Sequence, residues 1–323
     1  MPHLSRHRLA SHGLFLVFFI VILAFHLGPA LLAGLFAYSI LDLSHRLFAR
    51  RIGAFYARIA SLSLFFFIAG GMSWMVVSFV QQSISTVPVI LTTVMPKVSE
   101  TASRWGVELP FENIEQLRGA AIAAVAENAG DITQASGLLT KGFFHILIAV
   151  IAAVLAFMAP KPEPGPRNQY TALREEFFAR TARFMESFER VLGAQVAISA
   201  INTSLTAVFL LALGFPHAAF LIPATFILGI LPIIGNILSN TIICAAALTL
   251  SLRHAVLSLI FLVVIHKGEY LLNSRIIGGS IRVPMWQTLI GILVGEVVMG
   301  IPGIILAPAI LHYVRKELEA IPA

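Results

Sequence analysis

The sequence predicts an all-α, polytopic helical membrane protein, with broken or hairpin transmembrane helices and a small helical extramembrane lobe. Three observations carry that prediction. Of the 323 residues, 58% are hydrophobic and only 12% are charged, against about 25% charged in an ordinary soluble domain. The apolar residues stand in long blocks, and only helices and closed barrels satisfy their backbone in lipid. A barrel would show short alternating segments, which these blocks lack. The charge is distributed to match: the net +6 comes mainly from Arg and Lys between apolar blocks, as the positive-inside rule expects. That placement argues for a membrane partner and against nucleic acid. Cys244 is the sole cysteine, so an intrachain disulfide or cysteine metal site is excluded.

Taken in order, the chain opens with Arg6, Arg8 and three histidines ahead of an apolar run. No small-x-small cleavage pattern follows directly, and a second apolar run does, so the segment reads as a retained anchor. The run at 13–43 is interrupted at Gly28 and Pro29. As one helix it would be about 46 Å long, against a hydrocarbon core of about 30 Å. Both flanks are basic, and basic flanks prefer the cytoplasm. A hairpin turning at Gly28-Pro29 meets both facts. Residues 58–80 read as one full span. From 81 to 140 the pattern turns amphipathic and acid-rich, with Pro88, Pro96 and Pro110 expected as breaks, and this part is expected as the lobe. Residues 141–158 span back. The Pro-rich stretch at 159–166 is a turn or linker.

Tyr170, Leu173, Phe177, Phe184, Phe188 and Val191 then fall at helical spacing, with Glu176/Arg180 and Glu186/Arg190 as i,i+4 pairs. This predicts a cytoplasmic amphipathic helix at 166–192. The span at 193–213 carries Gln195, Ser199, Asn202 and Thr206 on one face. Such a face packs against helices or lines a cavity. Packing is the expectation for Ser199 and Thr206; Gln195 and Asn202 stay open between packing and pathway. Two further long apolar runs are broken, 218–250 at Pro232 to Asn236 and 284–313 at Gly300 to Gly303, with a full span at 254–273 between them. Read as hairpins entering from opposite faces, they place Lys267, Arg275, Arg282, Arg315 and Lys316 inside and only Arg253 outside. Paired broken helices are a recurring way to build a substrate or ion site. The expected organisation is 1–80 as N-terminal membrane helices, 81–140 as the lobe and 141–323 as a C-terminal membrane domain. Both termini are expected in the cytoplasm of a cell-membrane protein.

Polar groups at membrane depth are costly and usually face an interior, a partner or a water-filled path. By that rule the candidate substrate or ion pathway comprises Glu296, Glu269, Asn273, His266, Asn236, Asn240, Gln195 and Asn202. The candidate structural breaks are Gly28, Pro29, Pro232, Gly235, Gly300, Pro302 and Gly303. Glu269 has His266 and Asn273 at i−3 and i+4, and Lys267 and Arg275 nearby, and is expected as a fixed, partnered charge. Glu296 has no basic residue between Arg282 and His312. It is expected either to exchange a proton for a cation or substrate or to donate a structural hydrogen bond. Gly291 and Gly295 form a GxxxG pair that permits close helix approach within the chain or between copies. Enzyme motifs (HExxH, GxSxG, a P-loop, GxGxxG) are absent from the sequence. His266 and Glu269 lack a third ligand, so neither a catalytic residue, a metal site nor a cofactor is expected.

Four segments resemble the autoinducer-2 exporter family of PerM-like permeases. They are SFERVLGAQ (187–195), LPIIGN (231–236), EYLLNSRIIGGSIRVP (269–284) and GEVVMGIPGIILAP (295–308). They occur in the family's order, after a similar N-terminal hairpin, basic loop and amphipathic lobe, so the resemblance spans nearly the whole chain. It implies a multi-pass permease exporting a small molecule such as a quorum-sensing signal, or a sodium/proton antiporter. H+ or Na+ would then be a coupling partner. It also implies a homo-oligomer, a pentamer among the forms to be expected. Asn236 and Ser274 stand where the family has Pro, and Glu296 where it has a small Gly. The rival class is a non-transporting membrane scaffold.

Overall fold

The computed structural model describes residues 6–104, 106, 129–160, 168–232, 234–276 and 284–320. The side chains at 6, 101–102, 129–140, 269–276 and 285 lie outside that description. Among the described residues all regular structure is helical. The helices are α1 (Arg6–Ala24), α2 (Gly28–Ile52), α3 (Ala54–Arg104), α4 (Ala129–Met158), α5 (Gln169–Ala212), α6 (Ala218–Gly229), α7 (Ile234–Leu250), α8 (Leu252–Ile276), α9 (Met285–Met299) and α10 (Ile301–Glu319). Five of them, α1 to α5, contain stretches long and apolar enough to cross a membrane. The chain is therefore an all-α polytopic membrane protein, as its apolar blocks predict.

The predicted breaks fall where glycine and proline place them. α1 ends at Ala24 and α2 begins at Gly28 with Pro29 in its first turn, where a missing N–H costs nothing. His26 between them adopts φ 52°. Gly300 (φ 65°) ends α9 and caps α10, and Pro302 sits in the first turn of α10. α6 ends at Gly229 and α7 starts at Ile234, with Pro232 in the turn. Two boundaries differ from expectation. Pro88 and Pro96 do not break the chain but lie inside the 51-residue α3. There the buried Ile90 and Val94 are held in a core with Leu210, Phe220, Leu221, Ile243 and Ala247. Tertiary packing overrides the local proline penalty, which neighbouring helices commonly offset. At 1.5 Å per residue α3 is about 76 Å long, more than twice the hydrocarbon core of about 30 Å. The amphipathic helix expected at 166–192 and the span after it are likewise one 44-residue helix, α5. Nothing at 193 forces an end, since the lone Gly193 only weakens a helix. Residues 107–128 of the expected lobe, with the break expected at Pro110, and 161–166 of the expected linker lie outside the described residues.

The chain divides into two compact units. The first holds residues 1–70, 139–194 and 280–323, and the second holds 71–138 and 195–279. In the first, α9 and α10 form a tight hairpin. A Cβ on Gly295 would stand 2.5 Å from the Gly303 carbonyl, and one on Gly303 would overlap the Gly295 carbonyl. The backbones touch because neither residue has a side chain. Gly291 faces Leu311 of α10. The GxxxG pair is thus consumed within the chain. The hairpin tip packs on the α1/α2 break, with Met299 and Pro302 against Gly28. In the second unit α6 and α7 form another hairpin. They have 12 and 17 residues, about 18 and 25 Å, each short of a full crossing. Lys97 of α3 donates to the Leu248 and Thr249 carbonyls at the end of α7 (2.7 and 3.1 Å), satisfying orphan C-terminal acceptors.

The glycine seam is directly testable. Gly303→Val forces backbone apart at the α9–α10 contact and should cost about 1–3 kcal/mol, the usual range for overpacking. Gly291→Ala meets only the flexible Leu311 end and should cost less. Thermal unfolding in mild detergent, variant against parent, checks the order.

Candidate functional site

The polar face of α5 seats the tip of the α6–α7 hairpin. Gln195 Nε2 donates to the Gly229 carbonyl at 2.8 Å, and Ser199 Oγ to the Phe226 carbonyl at 2.8 Å. The Gly229 carbonyl ends the last turn of α6, where helix carbonyls run out of intrahelical donors, and the Phe226 carbonyl lies three residues before it. Gly229 allows the approach: a Cβ there would stand 2.6 Å from Ser199 Oγ. Asn202 and Thr206 continue the same face and are buried. So all four stripe residues lie on one buried or half-buried face of α5, and Gln195 and Ser199 hold the end of α6 by its backbone. Asn236 and Asn240 lie half-buried on the first turns of α7, beyond the tip. His266 is exposed on α8. Glu269 and Asn273 belong to α8, but their side chains lie outside the described residues. Of the eight candidate pathway residues, seven fall in the second unit and Glu296 alone in the first. Glu296 is exposed on the outer face of α9, between the exposed Leu293 and Val297. Among the described residues no three His, Cys, Asp or Glu side chains group as a metal site.

The strongest polar cluster of the first unit was not anticipated. Arg180 is fully buried. Its guanidinium donates to Glu317 Oε2 (2.9 Å), to Ser11 Oγ and to the Arg8 carbonyl (3.1 Å). Glu317 also accepts from Arg183, and His12 Nε2 stands 3.6 Å away. α1, α5 and α10 are therefore tied together by one carboxylate and one guanidinium. The spacing paired Arg180 with Glu176; instead it turns inward to α10. One signal for this was present: Arg180 falls in the same file as Phe177, Phe184, Phe188 and Val191, where an arginine needs a partner. The expected Glu186–Arg190 pair is present at 3.4 Å, but Glu186 also takes Lys316 of α10 at 2.8 Å. Beside the network, Phe15, Phe184 and Tyr313 pack edge-on or tilted within 6 Å. A further pair, Arg46–Glu189 at 2.9 Å, ties α2 to α5.

Burial alone would raise the Glu317 carboxyl. The hydrogen bond from Arg183 and the charges of Arg183, Arg180 and His12 outweigh it and hold the group below the usual carboxylate value.

Several helices long and apolar enough to cross a membrane, with broken helices beside them, define a polytopic membrane protein. The family described as "AI-2E family transporter" matches residues 10–323, and the chain belongs to that family. It is also similar to a Bacillus subtilis (strain 168) protein named "Putative transport protein YdbI", at 28% identity over 147 residues. That match covers 45% of this chain and 42% of the relative, so the chain spans less than half of that protein's length.

The network makes two predictions. Arg180→Met leaves Glu317 short of a partner inside the protein and should destabilise it by about 3–5 kcal/mol. Arg180→Met with Glu317→Leu should recover much of that loss. Denaturation midpoints in detergent compare the three chains. The pH sign follows from the depressed Glu317 carboxyl: its stabilisation is complete above the unfolded carboxylate pKa of about 4.3 and is lost as pH falls through the lower folded value. The parent should therefore lose thermal stability on acidification below about pH 4, and Glu317→Gln should lose less over the same window.

Proposed function

We propose that this chain is a permease exporting a small organic solute of the class of the quorum-sensing signal autoinducer-2, with ion coupling through Glu296. The observation that carries the reading is family membership across residues 10–323 together with two helical hairpins, α6–α7 and α9–α10, whose breaks are built into the fold. Broken helices supply free backbone groups for a solute or ion at membrane depth. In the second unit the Gln195–Gly229 contact holds one such break against α5. Glu296 is the proposed coupling group because it is a lone carboxylate on an otherwise apolar face of α9, and intramembrane carboxylates typically serve ion pathways. Within the second unit, His266, Glu269, Asn273, Asn236, Asn240, Gln195 and Asn202 are the proposed pathway residues, without catalytic chemistry. The proposed setting is a cell membrane, with both termini and the first half of α5 in the cytoplasm, and the working form is a homo-oligomer.

Flux into and out of proteoliposomes, with a panel of hydroxylated signals and with Na+ and pH gradients, tests this. The expected result is solute efflux whose rate depends on pH, with Glu296→Gln folding normally and losing that dependence. Cation exchange without solute movement would make the chain an antiporter. No flux of either kind would make it a scaffold. An unchanged pH profile in Glu296→Gln would remove Glu296 from the mechanism and leave uncoupled export.

A further inference from the structure

In the first unit, α1 and the start of α5 leave between them a groove of about 420 Å³, within the size range of small-ligand sites. One wall is Leu14, Val17 and Phe18, a single face of α1 at i, i+3 and i+4. Leu14 and Val17 keep 47% and 55% of their surface exposed, so the chain does not fill this space itself. The other wall is Leu173 and Phe177 of α5, and it carries the polar lining, Tyr170 and Arg174. The Arg174 guanidinium stands 5.9 Å from the centre of the Tyr170 ring. Arg46, Arg180, Arg183, Arg190 and Arg315 each pair with a carboxylate. Arg174 pairs with none among the described residues. Glu175 and Glu176 follow it in sequence but do not share its helix face, and neither lines the groove. The one charged group in the lining is therefore a guanidinium without a counter-charge.

We propose that this groove binds an anionic glycerophospholipid, with its phosphodiester on Arg174 and Tyr170 and one acyl chain against Leu14, Val17 and Phe18. A guanidinium offers a phosphate paired N–H donors, and the Tyr170 hydroxyl adds an O–H donor. Tyr170 lies in the first turn of α5, just after the Asn168 cap, where a helix end favours negative charge. The depth agrees. The ion-paired layer of His12, Arg180 and Glu317 belongs at the edge of the hydrocarbon, because charges inside it are costly. Leu14 stands two residues, about 3 Å, further along α1. The groove thus opens at head-group level, where an arginine stem snorkels and tyrosine is enriched. Free phosphate would satisfy Arg174 and leave the apolar wall bare, whereas a lipid covers both. The site is separate from the proposed solute pathway and does not depend on it.

The test uses the full chain, reconstituted in vesicles of equal phosphatidylglycerol and phosphatidylethanolamine, each in turn carrying a photoreactive acyl chain. The protein is re-extracted in mild detergent, washed and irradiated. Mass spectrometry counts the retained lipid and locates the crosslinks. Phosphatidylglycerol should be retained over phosphatidylethanolamine and should label the peptides that hold Leu14–Phe18 and Leu173–Phe177. Arg174→Gln should narrow that preference about fivefold, the weight of one cation near an anionic surface. Arg174→Lys keeps the charge and should keep most of the preference. Val17→Trp fills the groove and should abolish labelling of these peptides by either lipid. Leu293→Trp, exposed on α9 and outside this lining, should behave as the parent does. Equal retention of the two lipids by the parent would overturn the proposal, as would an unchanged preference in Arg174→Gln. Labelling that persists in Val17→Trp would overturn it too. No labelling in the parent, with Val17→Trp changing the oligomer mass, would overturn it in favour of a contact between copies.

Discussion

The first unit depends on one buried pair, Arg180 with Glu317. Removing a guanidinium from solvent is tolerable only if its donors all find acceptors. Here they come from Ser11, the Arg8 carbonyl and the carboxylate. Those acceptors lie near the start and the end of the chain, at residues 8, 11 and 317. The constraint therefore fixes where the first helix and the last hairpin meet α5. The register of the Phe15–Phe184–Tyr313 packing follows from it. A hydrophobic replacement could hold the same helices with less penalty. It would not specify a single register as sharply, because apolar faces slide past one another at low cost while a buried guanidinium does not.

Small residues supply the second kind of constraint. In lipid there is no solvent-driven force between apolar helices, so close backbone approach and hydrogen bonding decide packing. α9 and α10 meet at Gly295 and Gly303. α5 meets the α6 tip at Gly229, with Gln195 and Ser199 bonded to the Gly229 and Phe226 carbonyls. In both hairpins the break lies close to the contact that holds it, so the interrupted helix is fixed where the chain turns.

Much of this was legible in the sequence. Helix breaks at Gly28-Pro29, around Pro232 and at Gly300 could be placed because each is encoded locally, by residues that restrict φ or remove a donor. The boundaries that differed were those decided at a distance. Pro88 and Pro96 look like stops until Ile90 and Val94 are seen in the core with Leu210 and Phe220. The amphipathic stretch ending near Leu192 and the apolar stretch after it look like two elements, because a change of environment along one helix mimics a boundary.

The sequence alone determined that this is an all-α membrane protein, which segments are apolar, and where the chain must turn. Apolar length, charge placement and glycine-proline pairs are properties of contiguous residues. Only the tertiary structure decided which polar residues meet. The Gln195–Ser199 stripe was visible as a face, but its partners are carbonyls 27 and 34 residues away. Arg180 was visible as a charge, but its partner Glu317 lies 137 positions on. Pairing across such separations is set by how helices pack in three dimensions, and helical spacing reports only what lies within a few turns.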